Sequence, residues 1–116
     1  MAVLNILAAT IHQQRTETLV VTTSAAAILT CAANESCVVV SLHLANVDGT
    51  NAVDVTVLHV RGATSTEIIR TVSVPADSTL VLFSDGPLHL EENDVLQVQA
   101  SANGDLKAVC SYERFA

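Results

Sequence analysis

Apolar residues recur at every second position through most of this chain. That side-chain period fits a β-strand with one face on a core and does not fit a helix. In residues 37–47, CVVVSLHLANV, it puts Val38, Val40, Leu42 and Leu44 on one face, with Ser41, His43 and Ala45 on the other. In AVDVTVLHV, Val53, Val55 and Val57 oppose Asp54 and Thr56; in EIIRTVSV, Ile68, Val72 and Val74 share a side. VLQVQAS sets Leu96, Val98 and Ala100 against Gln97, Gln99 and Ser101, and LKAVCSYE points Leu106, Ala108, Cys110 and Tyr112 inward. TLVLF and PLHL are shorter strands, and TLVVTT and AAILTC are weaker ones.

Turn chemistry punctuates these runs. DGTN offers Gly49 for positive φ, RGATS interrupts the next strand, and Pro75 in PADS cannot donate to a ladder. Asn103-Gly104 is the favoured signal for a two-residue hairpin. About eight strands with turns every ~8–12 residues predict an all-β domain, an antiparallel sandwich or barrel. At 116 residues the chain makes one domain, read as an N-terminal arm or strand over 1–24 and a β-sandwich body over 25–116. Residues 2–11 stay open between strand, arm and short helix.

Composition then limits the partners. Half of the residues are apolar but only Phe83, Tyr112 and Phe115 are aromatic, so the core is built from Val, Leu, Ile and Ala. The mean hydropathy of +0.46 is high for so small a domain, which predicts that some apolar surface meets another chain. The candidate interface residues are Val3, Leu4, Ile6, Leu7 and Ile11, apolar positions without a partner in the strand pattern. The net charge is −7, and Arg15, Arg61, Arg70, Lys107 and Arg114 are scattered. No basic patch exists to neutralise phosphates, so neither nucleic acid nor an anionic membrane is an expected partner. No run reaches the ~18–20 apolar residues of a membrane helix. The apolar start lacks the basic region of a signal peptide and is expected in the mature protein.

The stretch GPLHLEENDVLQVQAS crowds Glu91, Glu92, Asn93 and Asp94 together. Calcium-binding carboxylates alternate along a loop so that their oxygens converge, whereas adjacent residues leaving a strand diverge. The expectation is a solvated turn and not a metal site. His12, His43, His59 and His89 show no ligand spacing, and each reads as a surface, interface or satisfied core histidine. No nucleophile elbow, phosphate loop or dinucleotide fingerprint is present, and Cys110 lies on an inward face where a thiol is inert. The chain is therefore not expected to be an enzyme, to use a cofactor or to hold a metal. Cys31, Cys37 and Cys110 fit no CxxC pattern and are expected as buried reduced thiols; Cys31 and Cys37 flank the short hairpin loop AANES and can face each other across it, with a disulfide there as the alternative.

VSLHLANVDGTNAVDVTV, TVSVPADSTLVLF and GPLHLEENDVLQVQASANGDLKAVCSYE together resemble a class of small bacteriophage virion structural proteins. The resemblance spans roughly residues 25–115 and is carried by structural segments, not by active-site ones. It implies a jelly-roll-like β-sandwich attached to the head or the head-to-tail region. It also implies a capsid decoration (cement) protein, a homodimer or homotrimer that binds the major capsid protein on the outside of the virion after assembly in the bacterial cytoplasm. A neck, collar or tail component is the alternative within that class. A carbohydrate-binding sandwich is the alternative outside it, disfavoured by the lack of aromatic platforms.

Overall fold

A computed structural model describes residues 9–116 of the chain. Within them lie nine strands: β1 (His12–Val20), β2 (Ala26–Thr30), β3 (Ser36–Asn46), β4 (Val53–Arg61), β5 (Thr64–Val74), β6 (Thr79–Leu82), β7 (Leu88–Leu90), β8 (Val95–Ala100) and β9 (Leu106–Phe115). One sheet runs β1-β9-β3-β6 with β7 also on β3, the other β2-β8-β4-β5, and every pairing is antiparallel. Residues 12–20, within the stretch that the sequence leaves as arm or strand, form the edge strand β1.

β6 and β7 occupy one strand position. β6 pairs with residues 42–45 of β3 and β7 with residues 37–39, on the same side of β3. Residues 83–87 loop out between them, with Phe83 at φ +68° and Pro87 unable to donate. Counting that position once leaves eight, four per sheet. Successive strands change sheet at every connection except β4–β5 and the β6–β7 interruption. Strands that switch sheets in this way make a jelly roll.

Two expected hairpins are corrected by that topology. AANES joins β2 to β3 and Asn103-Gly104 joins β8 to β9, and in each case the two strands lie in different sheets. Both connections are arches across the sandwich. Gly104 does take φ +81°, so the local chemistry holds, but the Asn103 carboxamide oxygen accepts from the Thr23 N–H at 2.8 Å and ties the arch to the β1–β2 connection. Among the described residues the tight hairpin is β4–β5, where Gly62 turns at φ +59°.

The core lies between the sheets, built from Leu42, Leu44, Leu90, Leu96, Leu106 and the inward valines of β4, β8 and β3. The expected faces of Val53–Val57, Leu96–Ala100 and Leu106–Tyr112 hold. Two do not. A β-bulge between Val39 and Ser41 shifts the phase of β3, burying Val39 completely and leaving Val40 47% exposed. Val38 is likewise displaced from the core face to the half-buried outer one. In β5, irregularities opposite Val55–Leu58 set Ile69 in place of Ile68 opposite Val57. Val72 stays paired with the inward Val55 and is 36% exposed because β5 is an edge strand. Thr71 there takes φ +45° and its N–H donates to Thr56 Oγ1 at 3.0 Å.

Candidate functional site

The EEND corner is a turn, as its residues suggest. Asn93 adopts φ +67° and the Asp94 N–H donates to the Glu91 carbonyl at 3.1 Å. It is not solvated. Asp94 is wholly buried and Glu92 nearly so, which corrects the reading of an exposed acidic cluster. The reason lies at the far end of β4, which delivers His59 and Arg61 to the same place. Arg61 grips Asp94 with both arms, Nε to Oδ1 at 2.9 Å and Nη2 to Oδ2 at 2.7 Å. Oδ2 also accepts the Glu91 N–H at 3.0 Å and lies 3.0 Å from His59 Nε2. Arg61 pairs with Glu91 as well, and Glu92 accepts the Asn34 N–H at 2.9 Å. The guanidinium bonds, aided by His59 and the turn amide, hold the Asp94 carboxyl down at about 2 against the opposing cost of burial.

A carboxylate with these partners has little left to offer a cation. Among the described residues no group of three or more His, Cys, Asp or Glu side chains is placed to hold a metal ion. The corner works as a lock that ties the β2–β3 arch, the end of β4 and the β7–β8 turn together. A second lock closes the other end. Buried Asn46 donates to the carbonyls of Asn51 and Val74 at 2.9 and 3.0 Å and accepts the Asp48 N–H at 2.9 Å. Asn46 sits in phase with the apolar residues of β3, and that in-phase position is the signal by which sequence reading could have found it.

The thiols of Cys31, Cys37 and Cys110 are free and buried. Cys31 and Cys37 stand at the two ends of an arch and not of a hairpin, and the Cys31 thiol donates to the Glu35 carbonyl at 3.4 Å and to the Leu90 carbonyl at 3.7 Å. Burial pushes all three thiols up, Cys110 to about 12. Such groups are poor nucleophiles.

The surfaces outside the two sheets differ in kind. The outer face of the β2-β8-β4-β5 sheet carries a polar hollow of about 350 Å³ lined by Asp54, Thr56, Glu67, Arg70, Gln99 and Ser101, with no aromatic wall. Arg70 pairs with Glu67 at 3.3 Å there and the Ser101 hydroxyl accepts the Asp54 N–H at 3.0 Å. The outer face of the β1-β9-β3-β6 sheet instead holds Val20, Val40, Val81 and Val109, all exposed. Sequence reading missed these four, although Val81 and Val109 are visible as apolar residues on the polar phase of their strands.

Of the candidate interface residues, Val3, Leu4, Ile6 and Leu7 lie outside the described residues. Ile11 is 44% exposed, and its backbone exchanges two hydrogen bonds of 3.0 Å with Ala116, extending the β1–β9 ladder. No described helix is long and apolar enough to cross a membrane.

No protein-family model and no curated protein sequence matches the chain. Solved structures do. A chain from the Bacillus endospore appendages, described as a novel family of disulfide-linked pili, is 18% identical with a TM-score of 0.57, over 91% of this chain and 87% of that one. A chain of the acid-stable capsid of Helicobacter pylori bacteriophage KHP30 is 14% identical with a TM-score of 0.60, over 93% and 90%. A chain of the T13 viral particle of IBDV is 8% identical with a TM-score of 0.52, over 92% of this chain and 31% of that one. At these identities the likeness is one of fold.

Proposed function

We propose that this chain is a structural protein of a bacteriophage particle, a decoration or cement protein that binds the assembled lattice of the major capsid protein. The observation that carries the reading is the jelly roll shared, over nine-tenths of both chains, with a chain of a phage capsid. The EEND corner adds to it, since Arg61 and the Asn34 amide engage the carboxylates of Asp94 and Glu92 in holding the fold. Binding only to the assembled lattice would stabilise the shell by RT ln(1 + [L]/Kd) per site. In this reading the apolar N-terminal segment, with Val3, Leu4, Ile6, Leu7 and Ile11, supplies contacts to a neighbouring subunit. β1 is an edge strand of its sheet, and such an edge accepts an added strand.

Deleting residues 2–8 tests this, because Thr10 and Ile11 keep their bonds to Ala116. The truncated protein, shown to be folded by circular dichroism, is added to undecorated capsids. Lost binding supports the arm; undiminished binding moves the contacts to the sandwich; and failure of the full chain to bind any shell rejects the cement role.

A second reading follows from the likeness to the endospore appendage chain. A jelly roll can repeat head to tail into an open filament as well as sit on a closed shell. Electron microscopy of the purified chain alone separates the two, since only the filament reading predicts fibres without a capsid.

A further inference from the structure

The cross-strand register identifies the strand residues on the outer face of the β1-β9-β3-β6 sheet, and the 83–87 loop borders that face beside Val38, Val40 and Glu113. From β1 come His12, Gln14, Thr16, Thr18 and Val20, and opposite them on β9 stand Phe115, Glu113, Ser111, Val109 and Lys107. β3 adds Ser36, Val38, Ser41, His43 and Ala45, with the bulged Val40 beside them; β6 adds Val81 and Thr79, and β7 adds His89. Across the middle runs a row of Thr18, Val109, His43 and Val81. Four of the seven large apolar residues exposed among the described residues are on this face.

Charge makes the face unusual on this molecule. Its strands present one acid, Glu113, and one base, Lys107, and Asp85 of the 83–87 loop stands beside Val40 and Glu113. With histidines uncharged, the face therefore carries one of the seven net negative charges and the rest of the chain carries the others. Any two copies of so acidic a chain repel one another through most orientations. A face that is apolar and nearly neutral lets them meet with the least like-charge repulsion. A partner chosen for opposite charge would gain nothing here and would seek the acidic surfaces instead.

We propose that this face is where a second copy of the chain packs, sheet against sheet about a two-fold axis. The proposal rests on the reading of the chain as an assembly subunit and says which surface makes the unit that is assembled. Size allows it. Nine residues of strand span ~30 Å and four strands ~19 Å. That is a plane of about 600 Å², which side-chain relief brings toward the ~800 Å² per partner of a standard interface. The valines pack across the two-fold while the hydroxyls of Thr16, Thr18 and Ser111 and the ring of His43 supply polar partners, an isologous arrangement that closes at two copies.

The dimer is tested on the free protein, and capsid binding is measured separately. Light scattering at micromolar concentration is expected to give twice the chain mass of 12.2 kDa. The variant Val81→Glu/Val109→Glu, with both substitutions at exposed positions, is expected to fall to one chain mass with unchanged circular dichroism. Thr56→Glu, on the outer face of the other sheet, is expected to keep the dimer. Should the double variant fail to fold, Val109→Lys alone replaces it. A wild-type monomer, a trimer, or a folded double variant that remains dimeric overturns the proposal. If the wild type is monomeric and the same substitutions abolish capsid binding, the face belongs to the lattice partner, and the assembly role survives without the dimer.

Discussion

Arg61, the last residue of β4, holds both carboxylate oxygens of Asp94, a buried residue that enters the sandwich thirty-three positions later at the β7–β8 turn. The pair joins two chain segments at the one end of the domain where the β2–β3 arch also arrives, through Asn34 and Glu92. Its consequences are measurable.

Removing one partner should be costly. Asp94→Ala leaves the His59 ring, the Glu91 amide and the Arg61 guanidinium without their shared acceptor. Breaking a buried pair from one side costs ~3–5 kcal/mol, and Arg61 regains part of that through its access to water, so a loss of about 2–4 kcal/mol is expected. Urea denaturation at neutral pH measures it, and a loss below about 1 kcal/mol would show that the corner is not a lock. Arg61→Ala with Asp94→Ala in a double-mutant cycle should cost clearly less than the sum of the two.

Acid should weaken the fold through the same group. The Asp94 carboxyl sits at about 2 in the folded chain against 3.8 for an ordinary Asp. A depressed acid stabilises fully above the unfolded value and loses its contribution as pH falls through the folded one, so the window lies between about pH 4 and pH 2. The shift corresponds to about 2 kcal/mol. Asp94→Asn, already destabilised at neutral pH, should show a flatter fall in stability across that window than the wild type. Parallel curves for the two proteins would assign the acid sensitivity to other groups.

Thiol chemistry should be silent in the native state. Cys31, Cys37 and Cys110 are buried and their thiols are pushed up by that burial. An aromatic disulfide reagent at pH 8 is expected to react over hours with the folded protein and to titrate three thiols at once after denaturation. Rapid native labelling of even one thiol would mean that the sandwich opens locally on the reagent's timescale.

Chelation should change nothing. The carboxylate oxygens of Asp94 are taken by Arg61, the Glu91 amide and His59, and the Glu92 carboxylate accepts the Asn34 amide. The melting temperature is therefore expected to be the same in EDTA as in calcium or zinc. A drop of several degrees in EDTA, restored by either ion, would expose a site that the described residues do not make.

What could be read along the chain was whatever depends on near neighbours. Alternation in VLQVQAS and LKAVCSYE named the right inward residues, because a pleat places every second side chain on one face wherever it runs unbroken. Turn residues were legible for the same reason: Asn93, Asp77, Gly62 and Gly104 all take positive φ, a preference that belongs to the residue itself, whereas Gly49, which has the same freedom, does not use it.

Tertiary structure decided everything that required knowing which strand lay alongside. Asn103-Gly104 makes a turn in any context, but whether the turn closes a hairpin or arches between sheets depends on β9 finding β1 and β3 in place of β8. The bulge that turned Val40 outward came from its register with β9, which three consecutive valines do not encode. The EEND turn looked exposed because its acids are charged. It is buried because β4 ends beside it with Arg61 and His59, and a buried carboxylate is stable only where such partners already stand. The nearly neutral apolar face exists for a similar reason: its valines are spread over β1, β3, β6 and β9, and only the register of the sheet sets them side by side.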